Sequence, residues 1–232
     1  MFGPPIDVYP FPVGRNALPR HSDLPAFFDA TINKPIEELT LWFAQSLDAV
    51  RSPVVARLRD IVLQYRPEAL VYTNGEWLLK IANSDFCNTN LYLLAPPSSN
   101  DLRMTFERFN IKSEEALLDF FRFFHGFRFE DPFIGQGFWS LSRWEPFKDH
   151  GWNDMAHASS KQLEWLESVP IYADGAGASI LLNSSGQLAW SVLPLAVEDR
   201  IRIFEPSFDS FLSKFVDILE RDFALVYDYK SM

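Results

Sequence analysis

Asn74-Gly75 stands between two apolar runs, Ala69 to Thr73 and Trp77 to Ile81, and no other short stretch constrains the fold as tightly. A two-residue type I′ turn needs positive φ at both central positions, which Asn and Gly tolerate, so the stretch predicts a pair of antiparallel strands. Leu91 to Ala95 offers a third strand. Pro96-Pro97-Ser98-Ser99-Asn100-Asp101 then breaks the pattern and reads as a boundary.

The residues before the hairpin follow other rules. Six of the 16 prolines (Pro4, Pro5, Pro10, Pro12, Pro19 and Pro25) fall in the first 25 residues, which predicts an extended arm lying on the surface. Pro35 suits a first helical position, with Ile36, Leu39, Phe43, Leu47 and Val50 forming one stripe. Ser52-Pro53 restarts the period, with Val54, Leu58, Ile61, Val62 and Tyr65 on one face.

Past the boundary, Ser113 is placed to cap a helix whose first turn carries Glu114 and Glu115, and Leu117, Phe120, Phe121 and Phe124 make its buried stripe. Gly126 is expected to end that helix in a left-handed conformation. A strand from Ile134 to Leu141, a Trp-rich charged stretch from Arg143 to Asp154 and a helix-like segment from Ser160 to Val169 follow. Ile171 to Ala173, Ser179 to Asn183 and Leu188 to Val192 read as strands, joined by the turns Asp174-Gly175-Ala176-Gly177 and Asn183-Ser184-Ser185-Gly186. Pro206-Ser207 opens a last helix with Phe208, Phe211, Leu212, Phe215 and Leu219 on one side. Helix, strands and a closing helix predict an α+β fold.

Leu117, Phe120 and Gly126; Gly135 and Leu141; Trp144, Pro146 and Phe147; Ile171, Asp174, Gly175 and Gly177; and Ser207, Phe208, Phe211 and Leu212 occur in an order that resembles the SUKH superfamily over residues 106–222. That superfamily is named partly after a fungal cell-wall synthesis regulator and is widespread as bacterial immunity proteins. His125 stands where the family usually has Asn, and Ala178 where it usually has Asp. The resemblance implies a mostly antiparallel sheet flanked by helices. The chain then divides into a proline-rich arm at 1–30, a helical and hairpin extension at 31–105 that could pack on the same sheet, and a SUKH-like domain at 106–232.

Composition narrows the function classes. The net charge is −10, and residues 106–232 hold 20 acidic against 12 basic side chains, a balance that disfavours nucleic acid and anionic membranes as partners. Cys87 is the single cysteine, which excludes an internal disulfide and a multi-cysteine metal site. The first residues lack a basic start and an apolar run, and the chain has no apolar stretch of membrane-spanning length, so a cytoplasmic protein is expected.

No catalytic, metal or cofactor constellation is predicted. Gly175-x-Gly177 leads into a strand, not into a helix whose amides could cradle phosphate. His150 and His157 flank Trp152 and Asp154 without a familiar ligand spacing, and no Gly-x-Ser-x-Gly elbow occurs. The acid pairs Glu37-Glu38, Glu114-Glu115 and Glu198-Asp199 read as solvated faces. Trp139, Trp144, Glu145, Asp149, Trp152 and Asp154 are the candidate partner-binding residues, because aromatics supply binding energy and surrounding acids steer a basic partner. The resemblance implies a non-catalytic immunity protein that captures a cognate, often basic, toxin. The alternatives are a housekeeping scaffold of the cell-wall regulator type and a hydrolase whose site has no sequence signature; the oligomeric state stays open.

Overall fold

The computed structural model describes residues 6–18, 24–73, 75–82, 90–112, 114–129, 137–149, 165–173, 178–192 and 201–221. Asn74, Cys87, Ser113, Gly135, His150, Trp152, Asp154, His157, Asp174, Gly175, Gly177, Glu198 and Asp199 lie outside them, as does most of the helix-like segment from Ser160. The fold is α+β, and its strands are antiparallel throughout the described residues.

Those strands are β1 (Asp7–Pro10), β2 (Arg66–Thr73), β3 (Glu76–Ala82), β4 (Asn90–Leu94), β5 (Phe127–Phe129), β6 (Gly137–Phe138), β7 (Val169–Ala173), β8 (Ala178–Leu182), β9 (Leu188–Val192) and β10 (Ile201–Glu205). They lie side by side in chain order in one sheet. The hairpin follows the sequence expectation: Thr73 pairs with Glu76, and Gly75 has φ of 78°, in the left-handed region. Leu93 pairs with Phe127, so the strands before residue 106 and those after it share one sheet.

The helices are α1 (Ala26–Asp29), α2 (Ile36–Ser46), α3 (Pro53–Val62), α4 (Ser99–Arg108), α5 (Glu115–Phe123) and α6 (Phe208–Arg221). Alternation along β3 shows how they cover the sheet: Trp77, Leu79 and Ile81 join the main core with Leu39, Phe43, Leu58, Phe120 and Phe211, while Leu78 faces away and clusters with Val71, Tyr92 and Leu94. On that second face Leu181 and Ala189 are buried against Phe147 and Trp165. Both faces are therefore covered over much of the sheet.

Local signals account for the helix limits. Ser52 accepts the Val55 N–H at 3.5 Å and Pro53 takes the first helical position of α3. Pro35 instead precedes α2 in an extended conformation, one residue earlier than expected. α4 ends in a Schellman motif: Ile111 N–H donates to Phe106 C=O and Asn110 N–H to Glu107 C=O, with Asn110 at φ of 50°.

Further expectations need correction: α5 has Glu114, not Ser113, at its N-cap, and no side chain among the described residues caps it. The arm does more than lie on the surface, because β1 extends the sheet edge and Phe11 and Val13 enter the main core. Gly126 is not left-handed; it is a point of close approach, where a Cβ would stand 2.2 Å from Leu94 Cδ1. The strand expected to reach Leu141 ends at Phe138, and Leu141 lies in a 3₁₀ turn, Leu141–Arg143. β5 and β10 had no counterpart in the sequence reading.

Candidate functional site

The stretch that follows β6 carries the residues singled out as a partner surface, and it splits them by depth. Trp139 donates its backbone N–H to Ile171 C=O at 2.9 Å, and its half-buried ring packs on the main core. Trp144 is not a surface aromatic: it is 3% exposed. Its ring stacks on Phe106 with centroids 5.8 Å apart and an interplanar angle of 10°, and meets Phe121 edge-on at 4.9 Å. Its backbone N–H closes the 3₁₀ turn on Leu141, which turns the indole inward. Glu145 and Asp149 are exposed. Between them Phe147 is buried and anchors the segment to β8 and β9. Lys148 donates to Glu167 at 2.5 Å, and that hydrogen bond raises the ammonium pKa above its ordinary value. Trp152 and Asp154 lie outside the described residues.

Behind this surface stands a polar centre that the sequence reading did not identify. Glu76, fixed as the closing pair of the first hairpin, accepts from Arg128 Nη2 at 2.5 Å and from Arg143 Nη2 at 2.9 Å through the same Oε2. Ser140 Oγ lies 3.4 Å from its other oxygen. Arg128 pairs across the ladder with Gly137, which has φ of 126° and places no side chain beside the guanidinium. Burial alone would raise the Glu76 pKa, but Arg128 and then Arg143 outweigh it and hold the carboxyl below its ordinary value. Burial pulls the Arg128 guanidinium down, with Glu76 opposing. The arrangement is a buried ion cluster that ties β3, β5 and the 3₁₀ turn together.

His125 completes this region. Its Nδ1 lies 2.8 Å from Ala95 C=O, and Leu141 N–H donates to its Nε2 at 3.1 Å. Both contacts are satisfied at once by the neutral imidazole with its proton on Nδ1. Burial lowers its pKa, against the Ala95 contact and the charges of Glu76 and Asp101. With both nitrogens engaged by backbone, His125 holds the end of β4 to the turn at Leu141. Glu76 is held ionised between two guanidiniums, so the centre joins β3, β5 and the turn at Leu141 by charge and hydrogen bonds.

No family model, curated protein or solved structure matches the chain.

Proposed function

We propose that the chain is a non-catalytic protein-binding protein of the SUKH kind, acting as an immunity protein that captures a cognate basic toxin. The observation that carries the reading is the convergence of the residues behind the resemblance. Leu117 and Phe120 of α5, Leu141, Trp144, Ile171 of β7, and Phe208, Phe211 and Leu212 of α6 all enter one core, with Phe120 and Phe208 at 5.4 Å. On this reading, the partner meets exposed Glu145 and Asp149 and the half-buried ring of Trp139, held from behind by Trp144 and Phe147. The acid excess of residues 106–232 would speed encounter with a basic partner and make the association sensitive to salt.

A scaffold role of the cell-wall regulator type is the second reading. It is favoured by the integration of the first hundred residues into the same sheet and helical layer, since a minimal capture domain needs only the later part.

Affinity purification together with the product of the adjacent gene, and growth of cells expressing that product with and without this chain, tests the first reading. Complex formation and rescue are expected. Absence of both would overturn it.

A further inference from the structure

We infer that the cleft between α4 and α5 takes an acidic, apolar peptide segment of a partner protein, in a site separate from the acidic surface around Glu145. The cleft holds about 480 Å³. Leu102 and Phe106 of α4, Ile111, and Leu118 of α5 line it, which gives an apolar floor already packed from behind. Phe106 in turn stacks on Trp144, so the floor is stiff.

Charge selects the occupant. Arg103 on one helix and Arg122 on the other both line the cleft. Arg122 Nε is shut off from water and has no hydrogen-bond acceptor among the described residues. Asp119 Oδ1 stands 4.0 Å from Arg122 Nη1, while Asp119 Oδ2 is taken by two backbone N–H groups. The side chain as a whole is 43% exposed, so an arriving carboxylate can meet its outer N–H groups from the cleft. Arg103 donates to Glu107, which also lines the cleft, at 3.0 Å and to Asn100 at 2.9 Å, exposed contacts weak enough to re-form around a ligand. Two arginines and one glutamate, Glu107, line the cleft, so the trough carries one net positive charge in a chain of net charge −10.

The shape favours a peptide over a small acid. The trough lies along helices of 10 and 9 residues, which at about 1.5 Å per residue span on the order of 15 Å, the length of about four extended residues. One side is open, so an isolated small molecule would remain wetted there. A peptide seats an apolar side chain on Leu118 and Phe106, sets a neighbouring carboxylate against Arg122, and covers the opening with its own backbone.

The test uses the full chain and two fluorescein-labelled peptides, one alternating glutamate with leucine and phenylalanine, the other with lysine in place of glutamate. Fluorescence anisotropy is expected to show saturable binding of the glutamate peptide alone, with amide chemical-shift changes confined to residues 99–122. Arg122→Gln should weaken it at least about fivefold, the loss of one charge-assisted contact, while Arg57→Gln on α3 leaves it unchanged. Arg103→Gln gives the same reading should Arg122→Gln disturb folding. Equal binding of the lysine peptide, shifts centred elsewhere, or unaltered affinity in both cleft variants would overturn the proposal.

Discussion

Asp119 on α5 accepts the backbone N–H of Ser52 at 2.7 Å, and the same oxygen takes the N–H of Arg51 at 2.6 Å. The carboxylate is buried, and it meets the chain where α3 begins, 67 residues earlier. It supplies acceptors for amides that a helix start leaves without partners, and so fastens the first hundred residues to the helix that opens the second half. Asp119→Ala is expected to cost roughly 2 to 4 kcal/mol, because a buried donor and a part-buried one lose their acceptor, and Asp119→Asn less, since its carbonyl still accepts. Urea denaturation of the three proteins checks this. Equal stability of the alanine and asparagine variants would refute the capping role.

Gly126 gives a second prediction through its neighbour. An added Cβ would stand 2.2 Å from Leu94 Cδ1, inside a cluster where Leu94 is 7% exposed. Gly126→Ala should destabilise by about 1 to 3 kcal/mol, the usual range for overpacking. Leu94→Ala removes the obstructing atoms, so the double variant should be more stable than the two single effects predict when added. Strict additivity would show that the close approach is not the reason for glycine here.

That position also shows how far the sequence could be read. The stripes of α3, α5 and α6, the Leu39, Phe43 and Leu47 part of the α2 stripe, and the first hairpin were legible because local periodicity and turn chemistry determine them, whereas Ile36 is 44% exposed and Val50 lies past the end of α2. The role of Gly126 was not, since it depends on Leu94, which meets it only once β4 and β5 pair. β5 itself reads Phe-Arg-Phe, an alternation that suggests an outward arginine. In the fold Arg128 is buried because Glu76, 52 residues earlier, reaches it. Trp144 failed as a surface residue for the same reason: Phe106 and Phe121 enclose it, and composition alone gives no depth. Only Glu145 and Asp149 of the candidate set are both described and exposed.

His125 should leave a mark on the pH dependence of stability. The fold holds its imidazole neutral and lowers its pKa from 6.5, so near that pH the unfolded chain binds more protons than the folded one. Stability therefore falls as pH drops through 6.5 toward the lower folded value, and the loss stops below it. The lowered pKa of Glu76 acts in a separate window: its contribution is present above 4.5 and lost as pH falls through the folded value. His125→Gln keeps a side-chain amide but does not titrate, and should remove the slope around pH 6.5. Denaturation curves across this range compare the two, and identical slopes would exclude His125 as their source.

Two ion clusters of similar geometry should differ sharply in weight. Arg57 on α3 donates to Glu220 Oε2 at 2.6 Å and to Asp217 at 2.7 Å on α6, and these hydrogen bonds raise its pKa, yet its side chain is 41% exposed. Solvent screens such a pair, and Arg57→Ala is expected to cost less than about 1 kcal/mol, shrinking further in high salt. Glu76 stands against Arg128, whose side chain is 4% exposed. Glu76→Ala takes the carboxylate away from a guanidinium that water cannot reach, with an expected cost of roughly 3 to 5 kcal/mol and little salt dependence. Replacing Arg128 with methionine in the Glu76→Ala background removes the buried charge and should restore part of that loss. Denaturation at low and high ionic strength separates the two sites. A Glu76→Ala cost as small and as salt-sensitive as that of Arg57→Ala would mean that water reaches Arg128 after all.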